Sequence, residues 1–445
     1  MPEKNLDLLK LIEDDGLTSK CLWELAYATE FCKRASRKIT APDFFVQQCA
    51  LAMEGTVSCN DMAVRIELKT GASATRQAYW LRTDESCVRF FQAILERIMH
   101  SRCDPSAVEE LQERGIWKRI LVQDSTVIQL PLGLFPFFSG VKNATTSVCN
   151  ARIQGVYDLL SKKFIGFSVD PYSRNDLLAT MDIAVEPGDL ILRDRGYFTV
   201  ASAAEHQKMG ADSIYRYKHK TTLSEPASGA TIDLLECLTR DGTADMQVSV
   251  GPEKTLNLRL VAVPVPEEDA NLRRMKAKKQ MKGHAPSQNL LALMSWNIFL
   301  TTLNGEAFPF KKILQLYGLR WRIENIFKTW KSHLSFAKLH NVSVKQLRVL
   351  LTARLIMIVI LHQRLYLPLA CAITTKTGKQ LSLMKFMRHL SKNLIDIISM
   401  VTASSPCTAK LMAFLERHCT YDRRKRANYI DHMEEALAGM EAIIP

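Results

Sequence analysis

The sequence has no C-x-x-C pair among its eleven cysteines, no apolar run long enough to span a bilayer, and no low-complexity tract. Each absence removes a class of protein. An odd, unpatterned set of cysteines from Cys21 to Cys419 makes neither a disulfide framework nor a zinc knuckle, and indicates reduced thiols in a cytoplasm. The most apolar stretch, Val349 to His362, is interrupted by Arg354. It falls short of the roughly 20 residues that a membrane helix needs and reads as a buried helix. The opening residues, MPEKNLDLLKLIEDDG, carry acids within their apolar stretch and lack a signal peptide's core. The expectation is a soluble, cytoplasmic protein with no membrane partner.

What is present is a chain of 445 residues, which predicts two to four domains. Its 47% hydrophobic and 24% charged residues are ordinary globular composition. Lysine and arginine exceed the acids by 59 to 46, giving a net charge of +13 and a pI near 9.2. That excess favours a polyanionic partner, nucleic acid before an anionic membrane. A solvated basic surface gives the same number, so charge alone does not decide.

Residues 1–115 read as helical. Ser58 and Ser73 stand where N-caps would, before Cys59 to Glu67 and Ala74 to Arg82. With Lys69 to Ala72 between them, the pair over 58–82 has the length of a helix-turn-helix. Its second helix would offer Thr75, Arg76, Gln77, Tyr79 and Arg82 to DNA. An ordinary helical hairpin fits the same pattern. From about 116 the period changes. Trp117 to Leu130, Ile153 to Leu160 and Phe164 to Val169 read as strands, followed by a helix near Leu177 to Ile183. Leu190 to Leu192 is a further strand, Ala201 to Lys208 a helix, and Ile214 to Tyr217 a strand. This mixture implies an α/β sheet. Residues 212–305 look β-rich and hold a basic run from Arg273 to Lys282 that includes Arg274, Lys278 and Lys279. Such runs are usually solvated faces; beside a catalytic segment, contact with a DNA backbone is the stronger reading. Phe310 to Leu334 reads as one strong helix, and 341–445 as further helices.

Three acids stand out. Asp124 interrupts a strand of Ile120, Leu121, Val122, Val127 and Ile128, where an unpaired carboxylate is costly without a compensating cation. Asp194 follows the strand Leu190 to Leu192, at the end where α/β sheets place their sites. Glu324 lies in the helix, one turn after Arg320 and one turn before Lys328. Singly, each has a plainer explanation, as a helix cap or a surface ion pair. Together they form a pattern, because Leu316 to Lys331 reads LYGLRWRIENIFKTWK. Tyr317, Arg320, Glu324 and Lys331 are spaced Y-x2-R-x3-E-x6-K, and their offsets of three, four and seven predict one shared helix face.

In these residues the chain resembles the DDE transposases of bacterial insertion sequences, in the YREK branch that includes the cut-and-paste transposase of transposon five. Asp194-Arg195-Gly196-Tyr197 resembles the family's second-aspartate motif, and Val122 to Thr126 its first. Arg216, after the next strand, and Trp296, before the YREK helix, match two further positions. The similarity covers roughly residues 40–335.

The resemblance implies an RNase H-like catalytic core over 116–211 and 306–340. It implies a β-rich insertion over 212–305, an N-terminal helical DNA-binding domain over 1–115, and a C-terminal helical domain over 341–445. The apolar C-terminal helices would be the dimer surface, or only core. Asp124, Asp194 and Glu324 would hold two Mg²⁺ ions about 3.5–4 Å apart, with Mn²⁺ able to replace them. Tyr317, Arg320 and Lys331 would bind the phosphates flanking the scissile bond, with Arg216, Arg322 and Lys328 adding contacts. Trp296 would stack on an extruded base, although without the family a core tryptophan is the better reading. The expected partners are the element's terminal inverted repeats, target DNA and a second copy of the chain, with the route passing through a DNA hairpin. Two rival readings are an inactive DNA-binding derivative and a nuclease that cuts without joining.

Overall fold

A computed structural model describes the chain apart from residues 1–7, 14–15, 35–37, 56–57, 101–115, 141–146, 175–183, 281–284, 340, 403–404, 422–428 and 439–445. The helix expected near Leu177 to Ile183 and the end of the basic run lie outside the described residues. Among the described residues, segments rich in β-branched and leucine residues form nine strands. These are β1 (Arg119–Gln129), β2 (Asn150–Asp158), β3 (Lys163–Pro171), β4 (Asp189–Arg193), β5 (Asp212–Arg216), β6 (Leu223–Ser224), β7 (Ala244–Val250), β8 (Leu256–Pro264) and β9 (Trp296–Thr301). They share one sheet in the order β3-β2-β1-β4-β5-β9-β8-β7-β6. β1, β2 and β3 are antiparallel neighbours, and β4 and β5 run parallel to β1.

The β1–β4 pair is pinned where it begins. Arg119 donates from Nε and Nη2 to the two oxygens of fully buried Asp189, at 2.8 and 2.6 Å. A forked guanidinium–carboxylate pair fixes orientation as well as distance. With Val122 opposite Leu192, two residues of further advance bring Asp124 and Asp194 side by side on one face.

The block read as a β-rich insertion is β-rich, but it is not a separate body. β9 pairs with β5 on one side and β8 on the other, so residues 212–305 extend the same sheet.

Several of the helices among the described residues surround the sheet and its site. They are α1 (Ala41–Glu54), α2 (Cys59–Thr70), α3 (Arg76–Arg82), α4 (Glu85–His100), α5 (Val200–Lys208), α6 (Glu267–Gln280), α7 (Phe310–Gly318), α8 (Trp321–His333), α9 (Val344–Ile360), α10 (Leu383–Leu390) and α11 (Tyr429–Leu437). Ser58 caps α2 in a reciprocal capping box with Asp61, as the sequence predicts. The cap of α3 is Thr75 and not Ser73. Gly71 turns the chain in the left-handed region, at φ 70°, and four more residues pass before α3 begins.

The single helix expected over 310–334 is two. Around Leu319 and Arg320 the backbone bonds shorten to three-residue spacing: Leu319 to Leu316, Arg320 to Tyr317, Arg322 to Leu319 and Ile323 to Arg320. Tyr317 therefore belongs to α7, Arg320 to the joint, and Glu324 and Lys331 to α8.

Just past residue 341, where the C-terminal helical domain is expected to begin, the chain enters α9. Every residue of α9 from Val349 to Ile360 is buried, packed against α1 and α4. A π-helical turn, Leu361–Tyr366, then brings His362 Nε2 to 3.0 Å from the Tyr157 hydroxyl on β2. α9 is thus the shared core of the N-terminal helices and the sheet, which rules it out as a dimer surface. Among the described residues no helix is long and apolar enough to cross a membrane.

Candidate active site

β1 carries Asp124 opposite Gly155 of β2. A Cβ on that glycine would stand 3.1 Å from Phe327 Cζ and 3.2 Å from Phe167 Cε1. The missing side chain lets α8 lie close on the sheet and brings Glu324 over Asp124. Gly155→Val is expected to cost about 1–3 kcal/mol of stability through overpacking and to depress activity further by lifting α8. Urea denaturation together with a cleavage assay measures both losses.

Asp124 is 19% exposed and Glu324 31% exposed at the side chain, while Arg320 between them is 6% exposed. Arg320 donates from Nη1 to Asp124 Oδ2 at 3.1 Å and from Nη2 to Glu324 Oε1 at 2.5 Å. The Tyr317 hydroxyl donates to Asp194 Oδ1 at 3.2 Å. Asp124 also accepts from the backbone N–H of Ser125 at 2.7 Å. Burial raises the Asp124 carboxyl to about 6; Arg320 and the Ser125 N–H oppose that rise, and Glu324 and Asp194 add to it. Burial likewise pushes the Tyr317 hydroxyl up, with Asp194 adding and Arg320 and Arg216 opposing. Tyr317 therefore stays a neutral donor at physiological pH.

Three carboxylates and no nitrogen or sulfur ligand make a donor set suited to hard divalent cations such as Mg²⁺ and Mn²⁺. A cationic group already lies between two of them, the Arg320 guanidinium. Among the described residues no three acid, histidine or cysteine side chains form a ready cage. The chemistry of the set fits a divalent metal, and Arg320 holds the space.

Residues 118–360 match the family described as Transposase DDE domain, from the residue before β1 to the end of α9. The chain belongs to the DDE transposase family. It is 28% identical over 417 residues to the transposase for insertion sequence element IS231C of Bacillus thuringiensis subsp. berliner, covering 87% of this chain and 84% of that one. The transposase for IS231D of Bacillus thuringiensis subsp. finitimus is 27% identical, covering 87% and 84%. The transposase for IS1151 of Clostridium perfringens is 25% identical, covering 75% of each chain. The protein is accordingly an enzyme that acts on DNA.

The cationic residues of this transposase that were expected to meet DNA lie on several elements. Lys328 and Lys331 are exposed on the stripe of α8 that holds Glu324, and Arg216 is half-buried close enough to influence Tyr317. On α6, Lys278 and Lys279 are exposed. Arg76 is exposed at the start of α3.

Four other arginines expected to face DNA (Arg322, Arg273, Arg274 and Arg82), and Tyr79 with them, are instead engaged within the fold. Arg322, two residues before Glu324, falls on the other side of α8, is 9% exposed, and pairs with Tyr366 of the π-helical turn. Arg273 donates to the Trp296 carbonyl and the Asn297 side chain, and Arg274 to Glu267, Asn271, Ser295 and the Leu291 carbonyl. These two arginines fasten α6 to the start of β9. Arg82 lies over the Phe31 ring at 4.8 Å and donates to the Cys32 sulfur, while Tyr79 is 1% exposed. Trp296 stands at the start of β9 as expected; its Nε1 donates to the Gly242 carbonyl at 2.7 Å, and the ring packs partly against a small core.

Sequence reasoning missed a polar layer on the opposite face of the sheet. Gln123, Gln154, Arg152 and Arg193 are all buried there. Gln123 donates to Gln154 at 3.1 Å, and Arg193 to Ser202 of α5 at 2.9 Å. Tyr197, the last residue of the DRGY motif, is buried beside Ser125 and Asp124. The signal was an arginine and a glutamine in apolar strands, each directly before an aspartate of the candidate site.

Proposed function

We propose that this transposase excises an insertion sequence at its terminal inverted repeats and joins it to target DNA. The observation that carries the reading is the meeting of Asp124, Asp194 and Glu324 around Tyr317 and Arg320. The strand order β3-β2-β1-β4-β5, with the first aspartate on β1 and the second after β4, supports an RNase H-like core.

Asp124, Asp194 and Glu324 are the residues that would hold two Mg²⁺ ions, which supply an activated oxygen nucleophile and a stabilised leaving oxygen. The chain's own groups do the remaining work. Lys331 and Lys328 draw the phosphates flanking the scissile bond onto α8, and Arg216 extends that contact beyond β5. Lys278 and Lys279 hold the DNA backbone along α6, and Arg76 engages it from α3. Trp296 accepts an extruded base during hairpin formation, and two copies of the chain hold the two ends.

The test incubates the purified chain with linear DNA bearing the element's ends, a target plasmid and Mg²⁺. Wild type is expected to release the ends, accumulate a hairpin-ended species on denaturing gels and produce joined plasmid. Glu324→Gln is expected to produce none of these while still retarding the DNA. Binding without cutting by wild type, or an unimpaired Glu324→Gln, would overturn the reading.

A further inference from the structure

We infer that Arg320 and Tyr317 form an internal latch on the carboxylates, so that divalent metal and DNA load onto this transposase cooperatively. The inference rests on the assignment of Asp124, Asp194 and Glu324 as metal ligands.

Each of the three carboxylates gives an oxygen to one of the two signature donors. Arg320 takes Asp124 with Nη1 and Glu324 with Nη2, and Tyr317 takes Asp194. Acids brought together and partly withdrawn from water need a counterion, because like charges repel and a carboxylate losing its hydration is destabilised unless paired. In the free chain that counterion is Arg320, 6% exposed and stacked toward the Tyr317 and Trp321 rings at 5.6 and 5.9 Å. The guanidinium keeps its charge at any accessible pH and so leaves only by moving.

The hold is incomplete. Arg320 Nε is buried and makes no hydrogen bond, a donor with no acceptor in the closed arrangement. A phosphate is an acceptor able to take both that donor and the outer Nη groups in forked geometry. The bonds to Asp124 and Glu324 use one N–H of each Nη, but Nε is buried, so the forked Nε–Nη pair reaches a phosphate only when the guanidinium moves. When it moves to DNA, the carboxylates lose their counterion and a divalent cation restores it. When the cation arrives first, it repels the guanidinium toward the phosphate. The two loadings must then favour each other by the same factor, since coupling between sites is reciprocal.

The experiment measures Mn²⁺ affinity of the full chain by calorimetry, without DNA and then with a duplex carrying one element end. Without DNA, Arg320→Gln is expected to bind Mn²⁺ at least ten-fold more tightly than wild type, and Arg320→Gln/Glu324→Gln to lose that gain. The duplex is expected to tighten Mn²⁺ binding at least ten-fold in wild type and less than three-fold in Arg320→Gln. Arg320→Lys, which keeps the charge but reaches one carboxylate at a time, is expected to fall between the two. It also guards against misfolding of the glutamine variant. Equal Mn²⁺ affinity in wild type and both Arg320 variants, lost on Glu324→Gln, would overturn the latch and leave the site intact. Mn²⁺ binding insensitive to Glu324→Gln in every background would instead remove the ligand assignment on which the latch depends.

Discussion

Asp124→Asn is expected to abolish DNA cleavage and, in the metal-free chain, to raise stability. The loss of cleavage follows from removing an oxygen donor at the centre of the carboxylate set. It should exceed the roughly 10–100-fold that removing an outer partner of a metal ligand costs. The gain follows from burial. The Asp124 carboxyl stands near 6 in the folded chain against about 3.9 unfolded, so the folded chain holds its proton more tightly over that interval. The contribution of this carboxyl to stability is therefore greatest below about pH 4, falls as pH rises through 4 to 6, and is flat above. The full penalty at neutral pH is on the order of 3 kcal/mol, and a neutral asparagine recovers about 1–2 kcal/mol of it. Urea midpoints at pH 4, 5, 6 and 7.5 in chelator test this. The wild-type decline across the window should be absent in Asp124→Asn. An asparagine variant less stable than wild type at pH 7.5 would mean that Asp124 is a structural ion-pair partner first.

Arg354→Leu is expected to be the most damaging single change away from the carboxylates. Arg354 is fully buried in α9 and donates to the carbonyls of Ala52, Gly55, Phe336 and Lys338. Burial lowers its guanidinium to about 10, and among the described residues no carboxylate pairs with it. Two acceptors lie at the C-terminal end of α1, where helix carbonyls lack partners, and two lie just past α8. One side chain thus ties the N-terminal helices to the exit of the signature helix. Leucine strands four carbonyls at about 1–3 kcal/mol each, less whatever water enters, so a loss above about 4 kcal/mol is expected. Arg354→Lys, with three donors on a narrower head, is expected to recover part of it. A urea midpoint for Arg354→Leu within about 1 kcal/mol of wild type would show that these carbonyls find other partners.

The three acids of the candidate site were legible for a local reason. A carboxylate in an apolar strand, an aspartate just beyond a strand end and a four-residue spacing are all visible within short windows of sequence. Arg354 was visible too, as an interruption in an apolar run, but its four acceptors come from segments far away in the chain. The same limit explains the basic residues. Arg273, Arg274, Lys278 and Lys279 look alike in a charge run, yet β9 packs against one side of α6 and takes the arginines. On α8, the two-residue step from Arg322 to Glu324 turns the arginine inward. Tyr79 went the same way when the turn after Gly71 moved the start of α3. The break at Leu319 and Arg320 left no mark in the spacing, because a joint of three-residue bonds keeps the apolar period nearly in phase.

The pairing of β9 with both β5 and β8 has a mechanical consequence. Asp124 on β1 and Asp194 just past β4 ride on one hydrogen-bonded plank, and Arg273 and Arg274 clamp α6 to the start of β9 and the turn before it. The plank acts as a ruler. If α6 holds the DNA backbone as proposed, the stretch of duplex between that hold and the cut is set when the chain folds, before any DNA arrives. An end that is one base pair too long or too short would meet this ruler out of register. Shifting α6 relative to β9 would then move the cleavage position before it weakened the grip.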